Sequence, residues 1–225
     1  MNTEDLEKRG LGFFRSLVQS DRGLSFSFIS SSSFMMQSPH PLSITVYCAS
    51  SQRSPRIYLG VAAELGQLMA QRGHTLVYGG GNIGLMGALA QAALTEGGKV
   101  TGVILTEFLD KGYGQDGLDM HAVDDMRSRK QGLDERGDAY ITLPGGFGTF
   151  EEVLEVISFK QLGFHSKPIV FVNTNGYFDG LLHQFERGFD EALIHEKFRD
   201  LYIAVSTPQH ALDFIEQTLK RDDGD

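Results

Sequence analysis

Residues 144–152 read PGGFGTFEE: a proline, glycines at 145, 146 and 148, a threonine, and two adjacent carboxylates. Glycine lets a backbone turn sharply and approach a ligand closely, and the free N–H groups that open a following helix favour an anion. A second run, YGGGNIGLMG at residues 78–87, has the same makeup. Neither is a Walker loop, since no Gly-Lys-Ser/Thr follows, and GGGNIG is a loose relative of the dinucleotide fingerprint. One such turn is explained by tight packing alone. Two on one rim point to a nucleotide-like ligand, with either loop able to hold phosphate. At helical spacing Thr149, Glu152, Val156 and Phe159 share a face, which sets Glu152 one turn beyond the cradle, where a carboxylate can do acid–base or electrostatic work. An equally good structural reading is that Glu151 and Glu152 are acidic residues favoured by the dipole at a helix start.

A second charged group lies at residues 123–138, VDDMRSRKQGLDERGD. Asp124 or Asp125 can cap a helix on which Met126, Arg129 and Leu133 share a face, so Arg129 points where an apolar residue is expected. The alternative is an arginine laying its stem along the core with its head in water. Arg127 and Lys130 read as solvated or surface-paired.

Elements must position these groups. LSITVYCAS, HTLVYGGG, KVTGVIL, DAYITLPGG, KPIVFVN and DLYIAVS are short apolar runs rich in β-branched residues and closed by small or turn-forming ones, as buried parallel strands are. Between them lie helical patterns. Residues 57–71 place Ile57, Val61, Leu65, Leu68 and Met69 on one face, and GLMGALAQAALTEGG gives a small-residue helix closed by glycines. The alternation predicts an α/β fold, a single-domain, Rossmann-like, doubly wound parallel sheet flanked by helices, with the ligand beyond the carboxyl ends of the strands. Besides the face carrying Glu152, the helix after PGGFGT has a second apolar stripe, Phe150, Val153, Leu154 and Ile157, so a homodimer is expected.

Composition bounds the partners. The chain has 225 residues and a formal net charge of −9, which argues against nucleic acid while leaving small phosphorylated ligands open. No apolar run approaches the roughly 18 residues of a membrane-spanning helix, so no membrane partner is expected. Cys48 is the single cysteine; it reads as a small core residue and points to a reducing, cytoplasmic location. Residues 1–34 are serine-rich and lack periodicity, and they read as a disordered extension, with the native start expected near Met35 and Met36 and the domain spanning 35–225.

At this point the residues reach a resemblance. PGGFGTFEE resembles the PGGxGTxxE signature of the Lonely Guy family of cytokinin-riboside-monophosphate phosphoribohydrolases, and MRSRK resembles that family's second motif, methionine-histidine-x-arginine-lysine. VYCASS, LVYGGGNIGLMG and QLGFHSKPIVFVNTNGYFDGLL are similar to the family at the same relative positions, so the likeness covers nearly all of residues 42–205. Many such proteins carry a lysine decarboxylase label, but no lysine here stands in a recognisable pyridoxal phosphate site. The resemblance implies catalytic roles for Arg129 and Glu152. It implies a substrate-binding set of Gly80, Gly81 and Asn82, of Met126 and Lys130, and of Gly145, Gly146, Gly148, Thr149 and Glu151. It implies no cofactor and no metal. Arg127 departs from the motif histidine, which puts the preferred base in question if the position faces the ligand. The reaction implied is hydrolysis of the N-glycosidic bond of a nucleoside 5′-monophosphate, adenosine monophosphate or an N6-modified relative, with direct and covalent routes both open. The rival expectation is a non-catalytic nucleotide or cofactor carrier on the same fold, which would not need Arg129 and Glu152 together.

Overall fold

In the computed structural model residues 41–222 are described, so the expectations for the serine-rich segment fall outside the described residues. The elements run β1 (Ser43–Tyr47), α1 (Arg56–Gln71), β2 (Thr75–Tyr78), α2 (Gly84–Thr95), β3 (Lys99–Leu105), α3 (Thr106–Asp110), β4 (Asp119–Val123) and α4 (Met126–Arg136). They continue with β5 (Ala139–Thr142), α5 (Phe147–Gln161), β6 (Ile169–Val172), α6 (Asp179–Asp190), β7 (Ile203–Val205) and α7 (Pro208–Asp222). A 3₁₀ turn, Thr174–Gly176, follows β6.

The seven strands form one parallel sheet in the order β4-β3-β2-β1-β5-β6-β7. The chain steps outward from β1 to β4 and then returns to lay β5 on the other side of β1. The order reverses between β1 and β5, and an open α/β sheet leaves its ligand crevice there. The sheet has helices on both faces, as the alternation predicts. Ile44, Val46, Leu76, Tyr78 and Ile141 point into one core with Leu65 and Met69 of α1, Leu89 of α2 and Leu212 of α7. The intervening residues Tyr47, Val77, Val103 and Tyr140 point into a second core with Leu133 of α4 and Val153 and Val156 of α5. The two-residue period of a strand produces this sorting, and burial on both faces is why the strands read as continuous apolar runs.

Two local expectations are refined. β4, DMHAV, was not expected; among the described residues it is an edge strand paired to β3 alone, and its half-exposed, mixed sequence lacks the signature of a buried strand. On α1, Leu65 and Met69 are buried, whereas Ile57 in its first turn is half exposed. α1 and α2 pack backbone to backbone: a Cβ on Gly66 would stand 2.2 Å from the Leu89 carbonyl oxygen.

Candidate active site

The site begins where β5 ends. PGGFGT turns from β5 into α5, and no side chain caps the helix. Its first turn-closing bond is Phe150 N–H to Gly146 C=O at 3.0 Å. The N–H groups of Gly146, Phe147, Gly148 and Thr149 find no acceptor among the described residues. Four uncommitted donors at the positive end of a helix form an anion cradle. Thr149 is 4% exposed and its hydroxyl makes no bond to the described residues, adding a fifth polar contact.

The other glycine loop is different, although the sequence offers it as an equal. Leu85 and Met86, in the first turn of α2, both donate to the carbonyl of Ala49, at 2.9 and 3.2 Å. Those donors are spent on holding the end of β1. The loop also acts as a scaffold. Gly80 accepts from Gln115 N–H at 2.9 Å, Asn82 N–H donates to Tyr113 C=O at 2.9 Å, and the Asn82 amide donates to the carbonyls of Gly112 and Gly114. Asn82 thus ties residues 112–115 to the rim and is spent on that task.

Asp125 caps α4, its carboxylate accepting from Arg127 N–H and Ser128 N–H. One turn on, Arg129 enters the interior, 7% exposed. Its Nε donates to Val103 C=O at 3.1 Å, its Nη1 to Glu152 Oε1 at 3.0 Å and its Nη2 to Gly79 C=O at 3.4 Å. The guanidinium is held by β3, α5 and the YGGGNIGLMG loop together. Gly79 has to be glycine for this, because a Cβ there would lie 2.2 Å from Nη2. Glu152 is 6% exposed, and its Oε2 accepts no hydrogen bond from the described residues. Burial raises the carboxyl above the usual glutamate range, with Arg129 opposing. Burial likewise raises the neighbouring Cys48 thiol and Tyr47 phenol, and the charge of Glu152 adds to both.

Arg129 and Glu152 line a cavity of about 520 Å³ at the strand-order reversal. Of the residues the sequence nominates, Gly81, Met126, Gly146, Gly148, Thr149 and Glu151 line it as well. Gly80, Asn82 and Gly145 lie behind the wall. Lys130 is also turned away: its ammonium donates to Glu151 Oε1 at 2.5 Å and Glu155 Oε1 at 2.9 Å, clamping α4 to α5. Arg127 is exposed and lines a separate hollow of about 300 Å³ with Lys130 and Glu155, so the departure from the motif does not face the cavity. Sequence reasoning passed over Ser50 and Ser51, which follow β1 at the reversal, and the apolar wall of Ile83, Met86, Ile104, Phe108 and Tyr113. The serines could have been found from strand order; the wall residues come from separate elements and carry no local signal. Cys48 is both a core residue, as expected, and part of the cavity lining. Among the described residues no group of three or more His, Cys, Asp or Glu could hold a metal ion.

Comparison with known proteins gives this geometry a family. The family model described as "Possible lysine decarboxylase" matches residues 86–215. A probable cytokinin riboside 5′-monophosphate phosphoribohydrolase of Oryza sativa subsp. japonica is 39% identical over 181 residues, covering 80% of this chain and 72% of its own. A cytokinin riboside 5′-monophosphate phosphoribohydrolase of Arabidopsis thaliana is 38% identical over 175 residues, covering 77% and 81%. Among solved structures, the molybdenum cofactor binding protein of Rippkaea orientalis superimposes with a TM-score of 0.61 at 22% identity, covering 81% of this chain and 99% of its own. The Moco carrier protein of Chlamydomonas reinhardtii also gives 0.61, at 20% identity, covering 81% and 99%. At that identity the two structures show the shared fold alone. With relatives of nearly two-fifths identity over most of both chains, this chain belongs to the Lonely Guy family of cytokinin riboside 5′-monophosphate phosphoribohydrolases, the family whose model carries the lysine decarboxylase description.

Proposed function

We propose that this protein hydrolyses the N-glycosidic bond of a nucleoside 5′-monophosphate, adenosine monophosphate or an N6-modified relative, to free base and ribose 5-phosphate. The observation that carries the reading is one cavity that joins a four-donor anion cradle to a buried carboxylate with a free oxygen. The cradle takes the 5′-phosphate, and that remote binding energy holds the sugar in register. As the C1′–N bond breaks, positive charge develops on the ribose, and Glu152 Oε2 stabilises it and orients the attacking water. Water's hydroxyl goes to C1′ and its proton ends on the departing base. Arg129 fixes the Glu152 carboxylate through Oε1 and leaves Oε2 for the reaction. The names of the relatives support this substrate class. Among the described residues no lysine lines the cavity, so the decarboxylase description gains no support from it.

The reading includes a homodimer and a cytoplasmic location. The outer surface of α5 and the turn after it carry Leu154, Leu162 and Phe164 exposed, and a second copy would cover them, while Phe147, at 93%, stands at the cavity rim. Sedimentation tests the dimer. The function is tested by incubating the protein with a panel of nucleoside 5′-monophosphates and the matching nucleosides, and following free base and ribose 5-phosphate. Release from monophosphates, at least about a hundredfold faster than from nucleosides, is expected. Tight binding without release would instead assign a carrier, and equal turnover of adenosine and adenosine monophosphate would refute the cradle.

A further inference from the structure

We infer that Tyr177 is a positioning residue that sets the direction of the anion cradle from outside the cavity. The inference rests on the reading of PGGFGT as a phosphate site. The Tyr177 hydroxyl donates to the carbonyl oxygen of Gly145 at 2.5 Å, across 32 residues of sequence. Gly145 C=O and Gly146 N–H belong to one peptide unit, which is planar and trans, so the two groups point in opposite directions. A hydroxyl that holds the carbonyl on the outside therefore holds the Gly146 N–H toward the cavity that Gly146 lines. Between two glycines that peptide has little steric resistance to turning over, and a reversed peptide would present a carbonyl oxygen to the anion. Tyr177 removes that alternative.

The segment carrying Tyr177 is built to hold it. Asn175 (φ 55°) and Gly176 (φ 68°) are consecutive left-handed residues, a conformation that costs a non-glycine residue free energy and persists only where neighbours enforce it. The neighbours here are side-chain bonds. Asn173 Oδ1 accepts from Phe178 N–H and its Nδ2 donates to Asp179 Oδ1, both at 2.7 Å. A Cβ on Gly176 would stand 2.5 Å from Asp179 Oδ2. The Tyr177 ring is clasped edge to face by Tyr58 at 5.4 Å and Phe178 at 5.1 Å. Tyr177 is not among the residues lining the cavity, so it touches the ligand only through the backbone it orients.

The test is Tyr177→Phe in the full chain, which removes the hydroxyl and keeps the ring contacts. Calorimetry measures the affinity for ribose 5-phosphate and for adenosine, and kinetics measure KM and kcat for the monophosphate. Loss of one well-aimed donor to a charged group predicts about a tenfold weaker Kd for ribose 5-phosphate and a matching rise in KM. Adenosine affinity and melting temperature should hold, and kcat should change less than KM. Tyr58→Phe, which removes a neighbouring hydroxyl with no partner among the described residues, should change none of these. Unchanged affinity for ribose 5-phosphate in Tyr177→Phe, or an equal loss for both ligands, overturns the inference while leaving the proposed reaction standing. A wild-type protein that binds no ribose 5-phosphate overturns both.

Discussion

Replacing Glu152 with glutamine keeps the size and one acceptor of the side chain and removes its charge. Two consequences can be worked out separately. For stability, breaking a buried ion pair outright costs about 3–5 kcal/mol. Here Arg129 keeps the carbonyls of Val103 and Gly79, the glutamine oxygen can still accept from Nη1, and the neutral amide escapes the desolvation that raises the carboxyl, so the cost stays well below that figure and the fold survives. For catalysis, a carboxylate about 4 Å from the developing cation at an effective dielectric of about 20 contributes about 4 kcal/mol, or about a thousandfold in rate. Arg129 already offsets part of that charge, so the loss in kcat is expected between about a hundredfold and a thousandfold, with nucleotide binding retained. Glu151→Gln is the matched comparison. Glu151 is exposed, lies about 100° around α5 from Glu152 and is committed to Lys130, so its loss should raise KM a few fold and leave kcat within about tenfold. The assay is release of free base under saturating monophosphate, beside nucleotide binding by calorimetry, for both variants. Near-native turnover by Glu152→Gln would reduce the carboxylate to a helix-start residue and refute the hydrolytic mechanism.

Gly79→Ala should cost activity rather than stability. The added methyl displaces the Arg129 guanidinium, the movable end of a side chain, so kcat is expected to fall at least about tenfold with a small change in melting temperature; native activity would show that the position of Arg129 is not critical. The pH profile follows from the burial of Glu152. Its carboxyl is held above the ordinary glutamate range and the reaction needs the ionised form, so kcat/KM should fall as pH drops through that raised value; a midpoint at or below the usual range would contradict it. Because the raised value means the folded state takes up this proton more readily than the unfolded one, ionised Glu152 costs stability at neutral pH, and that cost fades as pH falls. A chain beginning at Met36 should fold and keep full turnover, and loss of solubility or rate would show that the serine-rich segment packs on the domain.

The sequence by itself determined what depends on neighbours along the chain. Short apolar runs, separated by helical spacing, were enough to specify six of the seven strands and the two helical layers. Glycines after β2 and β5 marked both rim turns, the pair Asp124 and Asp125 marked the start of α4 without saying which of them caps it, and the spacing from Thr149 marked the face on which Glu152 enters the interior. Tertiary structure alone decided which groups found partners. The two glycine loops read alike, yet the Ala49 carbonyl takes two of the first-turn donors of α2, those of Leu85 and Met86, while all four at the start of α5 are left without an acceptor among the described residues. Arg129 and Lys130 are adjacent, yet one reaches Glu152 in the cavity wall while the other is bound by Glu151 and Glu155 outside it. β4 stayed hidden because one-sided pairing at a sheet edge does not demand the apolar pattern that betrays a buried strand. The physical reason is common to all three cases. Periodicity records the path of the backbone and which way a side chain leaves it, whereas a hydrogen-bond partner is fixed by strands and helices tens of residues away, as the reach of Tyr177 to Gly145 shows.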